Sequence, residues 1–93
     1  MIDLDLARKI CGRNAVNLYT YILDELSKKE IETEKHGREG SNLTVKYRFS
    51  NKIVNVVIYP NDKVSVYGDI GNEKDMSYEE LEEKFRKSLL ILT

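Results

Sequence analysis

Residues 43–70, LTVKYRFSNKIVNVVIYPNDKVSVYGDI, decide how this chain folds. Leu43, Val45, Tyr47 and Phe49 alternate with Thr44, Lys46 and Arg48, the period-two pattern of a strand with one buried face. Ser50-Asn51 breaks the run, and an apolar strand follows from Ile53 to Tyr59. Pro60-Asn61-Asp62 turns the chain again, Asn and Asp tolerating left-handed backbone. A third strand runs from Val64 to Ile70 and ends near Gly68 and Gly71. A two-residue turn at Ser50-Asn51 sets Phe49 opposite Lys52, so Tyr47 faces Val54, Val45 faces Val56 and Leu43 faces Ile58. At the second turn, a three-residue loop pairs Ile58 with Val64 and Val56 with Val66. A two-residue loop would bring Ser65 and Tyr67 onto the apolar face instead, and a slip that exposes a buried face is costly.

Upstream, Asp3 to Lys28 reads as helix, with Leu4, Cys11, Ala15, Leu18, Ile22 and Leu26 stacked on one stripe. The stripe fits one helix or a helix broken near Gly12, with Asn14 as the N-cap of the second piece. Ile31 and Thr33 then alternate with Glu30, Glu32 and Glu34, at most a short charged edge strand. Lys35 to Asn42, KHGREGSN, reads as a mobile glycine-containing loop. Downstream, Ser77-Tyr78-Glu79-Glu80 is a capping box, and Tyr78, Leu81, Phe85, Leu89 and Leu92 mark a second amphipathic helix. Its end, Leu89 to Leu92, is apolar all round and belongs under the domain or against another chain. The expectation is a single two-layer α+β domain over residues 1–93, in α-β-β-β-α order. An N-terminal helix and a C-terminal helix cover one face of an antiparallel meander of three to four strands.

The chain has 93 residues, 41% hydrophobic and 33% charged, a globular balance that excludes disordered and fibrous classes. Its single cysteine excludes an intramolecular disulfide and points to a reducing, cytoplasmic setting. No apolar run reaches ~18 residues, and the start lacks a basic-then-apolar signal, so no membrane span or leader is expected.

Catalytic groups are scarce. Cys11 lies on the helical stripe, where a free thiol behaves as a small hydrophobe, and the one imidazole, His36, falls in the expected loop. One His and one Cys make no metal set. Glu30, Glu32 and Glu34 on one side of a strand suit edge protection better than cation binding. No phosphate loop, nucleophile elbow or HExxH is present. The reading is a non-enzyme without metal, cofactor or small-molecule substrate.

The sheet face away from the helices is more informative. The register gives it Thr44, Lys46 and Arg48, then Ile53, Asn55, Val57 and Tyr59, then Ser65, Tyr67 and Asp69. Lys46, Arg48, Asn55, Tyr59 and Tyr67 are the candidate partner-binding residues, since Tyr and Arg beside apolar side chains characterise protein contacts. This points to a small regulatory or inhibitory protein binding another protein or its own copy. A composition rich in Lys, Glu, Asn, Ile and Tyr is also that of many phage and mobile-element accessory proteins. The alternative is a nucleic-acid-binding module using the same face, with Lys35, His36 and Arg38 assisting. From Lys35 to Lys63, six cations stand against two carboxylates. A secondary acidic patch, Asp75, Glu79, Glu80 and Glu83, gathers at the last helix. Helix, three strands, helix is also the order of double-stranded RNA-binding domains. Those carry lysines where this chain has Met76-Ser77-Tyr78-Glu79-Glu80, so the order is shared without the motif.

Overall fold

The computed structural model describes residues 2–49, 51–69 and 72–91, the side chains of residues 75 and 88–91 excepted. Asp3 opens α1 (Leu4–Cys11): its carboxylate accepts the backbone N–H groups of Asp5 and Leu6 at 3.0 and 3.2 Å. Gly12 ends it at φ 91°, ψ 155°, a conformation that L side chains rarely adopt, and α2 (Arg13–Lys28) follows at once. The break is therefore real, but its N-cap position is Gly12. Asn14 lies one step inside α2, and its side chain donates to Asp62 at 3.2 Å, tying the helix to the turn after β3. At the other end of α2, Glu30 N–H bonds Ser27 C=O and Ile31 N–H bonds Leu26 C=O, with Glu30 at φ 57°. This is a Schellman closure with glutamate where glycine is usual.

Five antiparallel strands form a simple meander: β1 (Thr33–Glu39), β2 (Asn42–Phe49), β3 (Lys52–Tyr59), β4 (Lys63–Gly68) and β5 (Glu73–Met76). The expected registers hold. Tyr47 faces Val54, Val45 faces Val56 and Leu43 faces Ile58, while Ile58 faces Val64 and Val56 faces Val66. Pro60-Asn61-Asp62 is the three-residue loop, and Asp62 at φ 61° supplies its left-handed residue.

Two segments differ from expectation. Lys35 to Asn42 is not a loop: β1 runs through Glu39, Gly40-Ser41 makes a two-residue turn, and Asn42 begins β2. Gly40 at φ 59° occupies the first central position, where a type II′ turn takes glycine. A strand of charged residues is tolerated because β1 is an edge, paired only on one side and solvated elsewhere. The expected alignment of Glu30, Glu32 and Glu34 dissolves with it, since Glu30 turns in the left-handed region and only Glu34 lies in β1. On the other side, Glu73–Met76 pairs with β4 as a short fifth strand.

α3 (Tyr78–Ile91) starts at Ser77, whose hydroxyl accepts the Glu80 N–H at 3.2 Å. α2 lies over β2 and β3, and α3 lies over β4, so the helices share one sheet face. Ala7, Cys11, Ala15, Val16, Tyr19, Ile22 and Leu26 meet Leu43, Val45, Tyr47, Val54, Val56, Ile58, Val64 and Val66 in one core. Phe85 brings α3 into it, edge-on to Tyr47 with centroids 6.1 Å apart. The expected packing of Leu89 to Leu92, and the strand end at Ile70 and Gly71, lie outside the described residues. Among the described residues, no helix is long and apolar enough to cross a membrane.

Candidate interaction surface

β2, β3 and β4 send alternate side chains away from the helices, and the ladder arranges them in rows. Lys35, Lys46, Asn55 and Tyr67 form one row across four strands. Gly37, Thr44, Val57 and Ser65 form the next, and Arg48 pairs with Ile53. Lys46 beside Asn55 and Arg48 beside Ile53 are the neighbours expected from the strand pattern. Tyr59 and Tyr67 lie on adjoining strands but in different rows, Tyr59 facing Lys63 and Tyr67 facing Asn55. They are separate anchors, not one aromatic cluster. Ile53, Val57, Tyr59 and Tyr67 are each half-buried with no helix over them, and Ser65 between them is buried. Among the described residues, the most exposed large apolar side chains lie elsewhere, Leu6 at 45% and Ile10 at 40%, one turn apart on α1.

Two of the cations on this face, Arg48 and Lys46, are not free. A register shift between Thr33 and Lys35 marks a β-bulge, and Glu34 at that bulge reaches the open face. Its carboxylate lies 2.7 Å from Arg48 Nε and 3.7 Å from Lys46 Nζ. Lys35 stands directly opposite Lys46 in the ladder, so without Glu34 this corner would hold three unrelieved positive charges. The sequence places Glu34 in an acidic run, and only the bulge brings it to Arg48 and Lys46. At the far end of the row, Ile53 is held by Asp69, which accepts its N–H at 2.7 Å and donates back to its carbonyl at 3.0 Å.

His36 lies in β1, not in a loop, in register with Val45 on the helix side. Its Nδ1 is hydrogen-bonded to the buried phenol of Tyr19. Burial pushes the Tyr19 phenol above its usual range, which keeps it protonated as a donor. Cys11 is fully buried; burial raises its thiol pKa, and the opposing pull of the Arg38 guanidinium is smaller. Thiol and imidazole are thus engaged separately, one in the core and one with Tyr19. Tyr78 donates to the Tyr59 carbonyl at 2.8 Å, and burial together with the Asp62 carboxylate pushes its pKa up to about 12. That bond anchors the strand end that carries Tyr59.

The acidic residues of α3 are largely paired along the helix: Glu82 with Arg86 at 2.7 Å and Glu83 with Lys87 at 3.2 Å. Glu73 on β5 pairs with Lys84. Glu79 and Glu80 are exposed in the first turn, where they complement the helix dipole. The Asp75 side chain lies outside the described residues. Among the described residues, no three His, Cys, Asp or Glu side chains converge where a metal ion would be held. A shallow cleft of about 400 Å³ opens between α2 and β1, lined by Leu23, Ser27, Ile31, Thr33 and His36 with Glu30 and Glu32 at its rim.

No protein-family model matches this chain, and comparison with curated proteins and with solved structures gives no significant match.

Proposed function

We propose that this is a small non-catalytic regulatory or inhibitory protein that acts in the cytoplasm by docking on a protein partner through its helix-free sheet face. The supporting observation is one arrangement: half-buried Ile53, Val57, Tyr59 and Tyr67 on an uncovered sheet, beside Lys46 and Arg48, which share the internal Glu34 carboxylate. Aromatic anchors beside partly compensated charges suit a protein surface, where a few such side chains carry most of the binding energy. Phosphate recognition needs cations that release counterions. On this face, Glu34 would repel a phosphate at the very position where Arg48 and Lys46 attract it. The paired charges therefore favour protein over nucleic acid as the partner class.

The test is quantitative affinity capture from the source cell with wild-type protein, Tyr67→Ala, Tyr59→Ala and the α3 control Glu79→Ala. A specific partner retained by the control and lost by both tyrosine variants supports the reading. In parallel, anisotropy is measured on labelled single-stranded RNA, duplex RNA and duplex DNA at low and moderate salt. Tight binding with a steep salt slope, abolished by Arg48→Ala, would replace the protein reading with the nucleic-acid one.

A further inference from the structure

β1 is a free edge of the sheet; the helices lie chiefly over β2, β3 and β4, and α2 reaches β1 through the Tyr19–His36 hydrogen bond on the helix side. A free edge is a template for another strand, and charges placed on it ordinarily repel a newcomer. On β1, however, the signs are arranged so that a second copy of the same strand is not repelled.

Glu39 and Asn42 close the two-residue hairpin between β1 and β2. In such a hairpin the closing pair exchanges backbone hydrogen bonds, and bonded and non-bonded pairs alternate from there. Lys35, Gly37 and Glu39 consequently turn their backbone N–H and C=O toward β2, while His36 and Arg38 turn theirs to the open edge. When two copies meet antiparallel about a two-fold axis at Gly37, His36 of each faces Arg38 of the other. These are the residues whose backbone groups are free to bond. Gly37 then meets its own copy in a non-bonded pair, where backbones come closest, ~4.5 Å between Cα atoms. Nothing lies within 4 Å of the position a Cβ would take there.

The same register sets Lys35 opposite Glu39 of the second copy, twice by symmetry, on the open face. Among the described residues, neither Lys35 nor Glu39 has an ion-pair or hydrogen-bond partner for its side chain within the chain. Lys35 is moreover opposite Lys46, so an incoming carboxylate relieves a like-charge contact. Moving the axis one residue to His36 would set Lys35 against Gly37 and push Glu39 against the bulge, losing both ion pairs. The Glu34–Arg38 opposition it creates brings together a carboxylate already held by Arg48 and Lys46 on the open face and a cation in register with Leu43 on the helix side. Charge therefore selects the Gly37 register.

We propose that this protein self-associates through β1 in that register, joining two five-stranded sheets into one continuous sheet whose helix-free faces adjoin. A single strand pair is a small contact, so the dimer is expected to be weak, with a Kd on the order of micromolar to tens of micromolar. The test is sedimentation equilibrium over concentrations bracketing that range, with wild-type protein, Lys35→Glu, Glu39→Lys and the double variant Lys35→Glu/Glu39→Lys. Each single variant puts like charges opposite one another and raises the dissociation constant about tenfold or more. The double variant reverses both signs and restores the wild-type value. A wild-type protein that stays monomeric throughout overturns the proposal, as does a double variant as weak as the singles. Tyr67→Ala separates this contact from the open-face reading: if it abolishes the dimer while Lys35→Glu does not, self-association belongs to the open face and the β1 contact is refuted.

Discussion

Gly68→Ala is expected to be the most damaging single-methyl change at any described glycine. Gly68 ends β4 opposite Val54 at φ 132°, a backbone region open essentially to glycine alone. A Cβ built there would stand 2.2 Å from the Ile53 carbonyl oxygen and 3.2 Å from both the Ile53 carbonyl carbon and Val54 Cα. These are backbone atoms of the central strand, and they cannot swing aside as a side-chain tip can. The Ile53 oxygen also accepts the Asp69 N–H at 3.0 Å, so moving it weakens that bond too. Backbone strain contributes ~1–3 kcal/mol, and forced displacement of packed atoms adds ~1–3 kcal/mol. The expected loss is about 3–4 kcal/mol, against a total of ~5–14 kcal/mol for a domain of this size. Urea titration followed by circular dichroism reads it directly, as a lowered midpoint with an unchanged m-value. A thermal melt should fall by about 12–30 °C. Gly37→Ala is the matched control, since its added methyl meets nothing within 4 Å and its φ is not in the strained region; it should shift stability by less than ~1 kcal/mol. A Gly68→Ala loss below ~1 kcal/mol would refute the reasoning, because the strand end would then be able to yield.

Further consequences are equally direct. Glu30→Gly relieves a left-handed glutamate at the close of α2, where a non-glycine residue costs ~1–2 kcal/mol. Allowing for the added chain entropy, it should stabilise the protein by about 0.5–1 kcal/mol in the same urea assay. Glu34→Gln should cost less than ~1 kcal/mol, since its ion pairs are partly solvent-exposed. It should also give weak, salt-sensitive RNA binding by anisotropy, stronger than that of the wild type measured alongside it. Cys11 should resist thiol reagents at neutral pH in the native protein and react fully in denaturant, because burial both shields the thiol and raises its pKa. Tyr78, raised to about 12, and Tyr47, raised by burial, must stay neutral in the folded state. Their contribution is complete below pH ~10, the unfolded phenol value, and is lost as pH climbs toward the folded values. The urea midpoint should therefore fall between about pH 10 and 12, and Tyr47→Phe/Tyr78→Phe should flatten that fall.

The central three strands and both their registers follow from residues 43–70 alone. One buried face and two short turns leave a single alignment that keeps Leu43, Val45, Tyr47, Val54, Val56, Ile58, Val64 and Val66 together. The helical stripes are legible for the same reason: a 3.6-residue period leaves a record wherever a helix must bury one side. The edge strands are different. Residues 33–39, TEKHGRE, and 73–76, EKDM, lack an apolar alternation, because a strand at the margin of a sheet has little core to face. Their strand character comes from the free ladders of β2 and β4, which the local sequence does not contain. The candidate surface divides along the same line. Lys46, Arg48, Asn55, Tyr59 and Tyr67 could be assigned to one face from period two and turn length. That Lys46 and Arg48 are held by Glu34, and that His36 bonds Tyr19, depends on a bulge and on a helix crossing from elsewhere in the chain. Short-range pattern determines which side a residue takes; only the assembled sheet decides which charges meet, because those encounters join residues far apart along the chain.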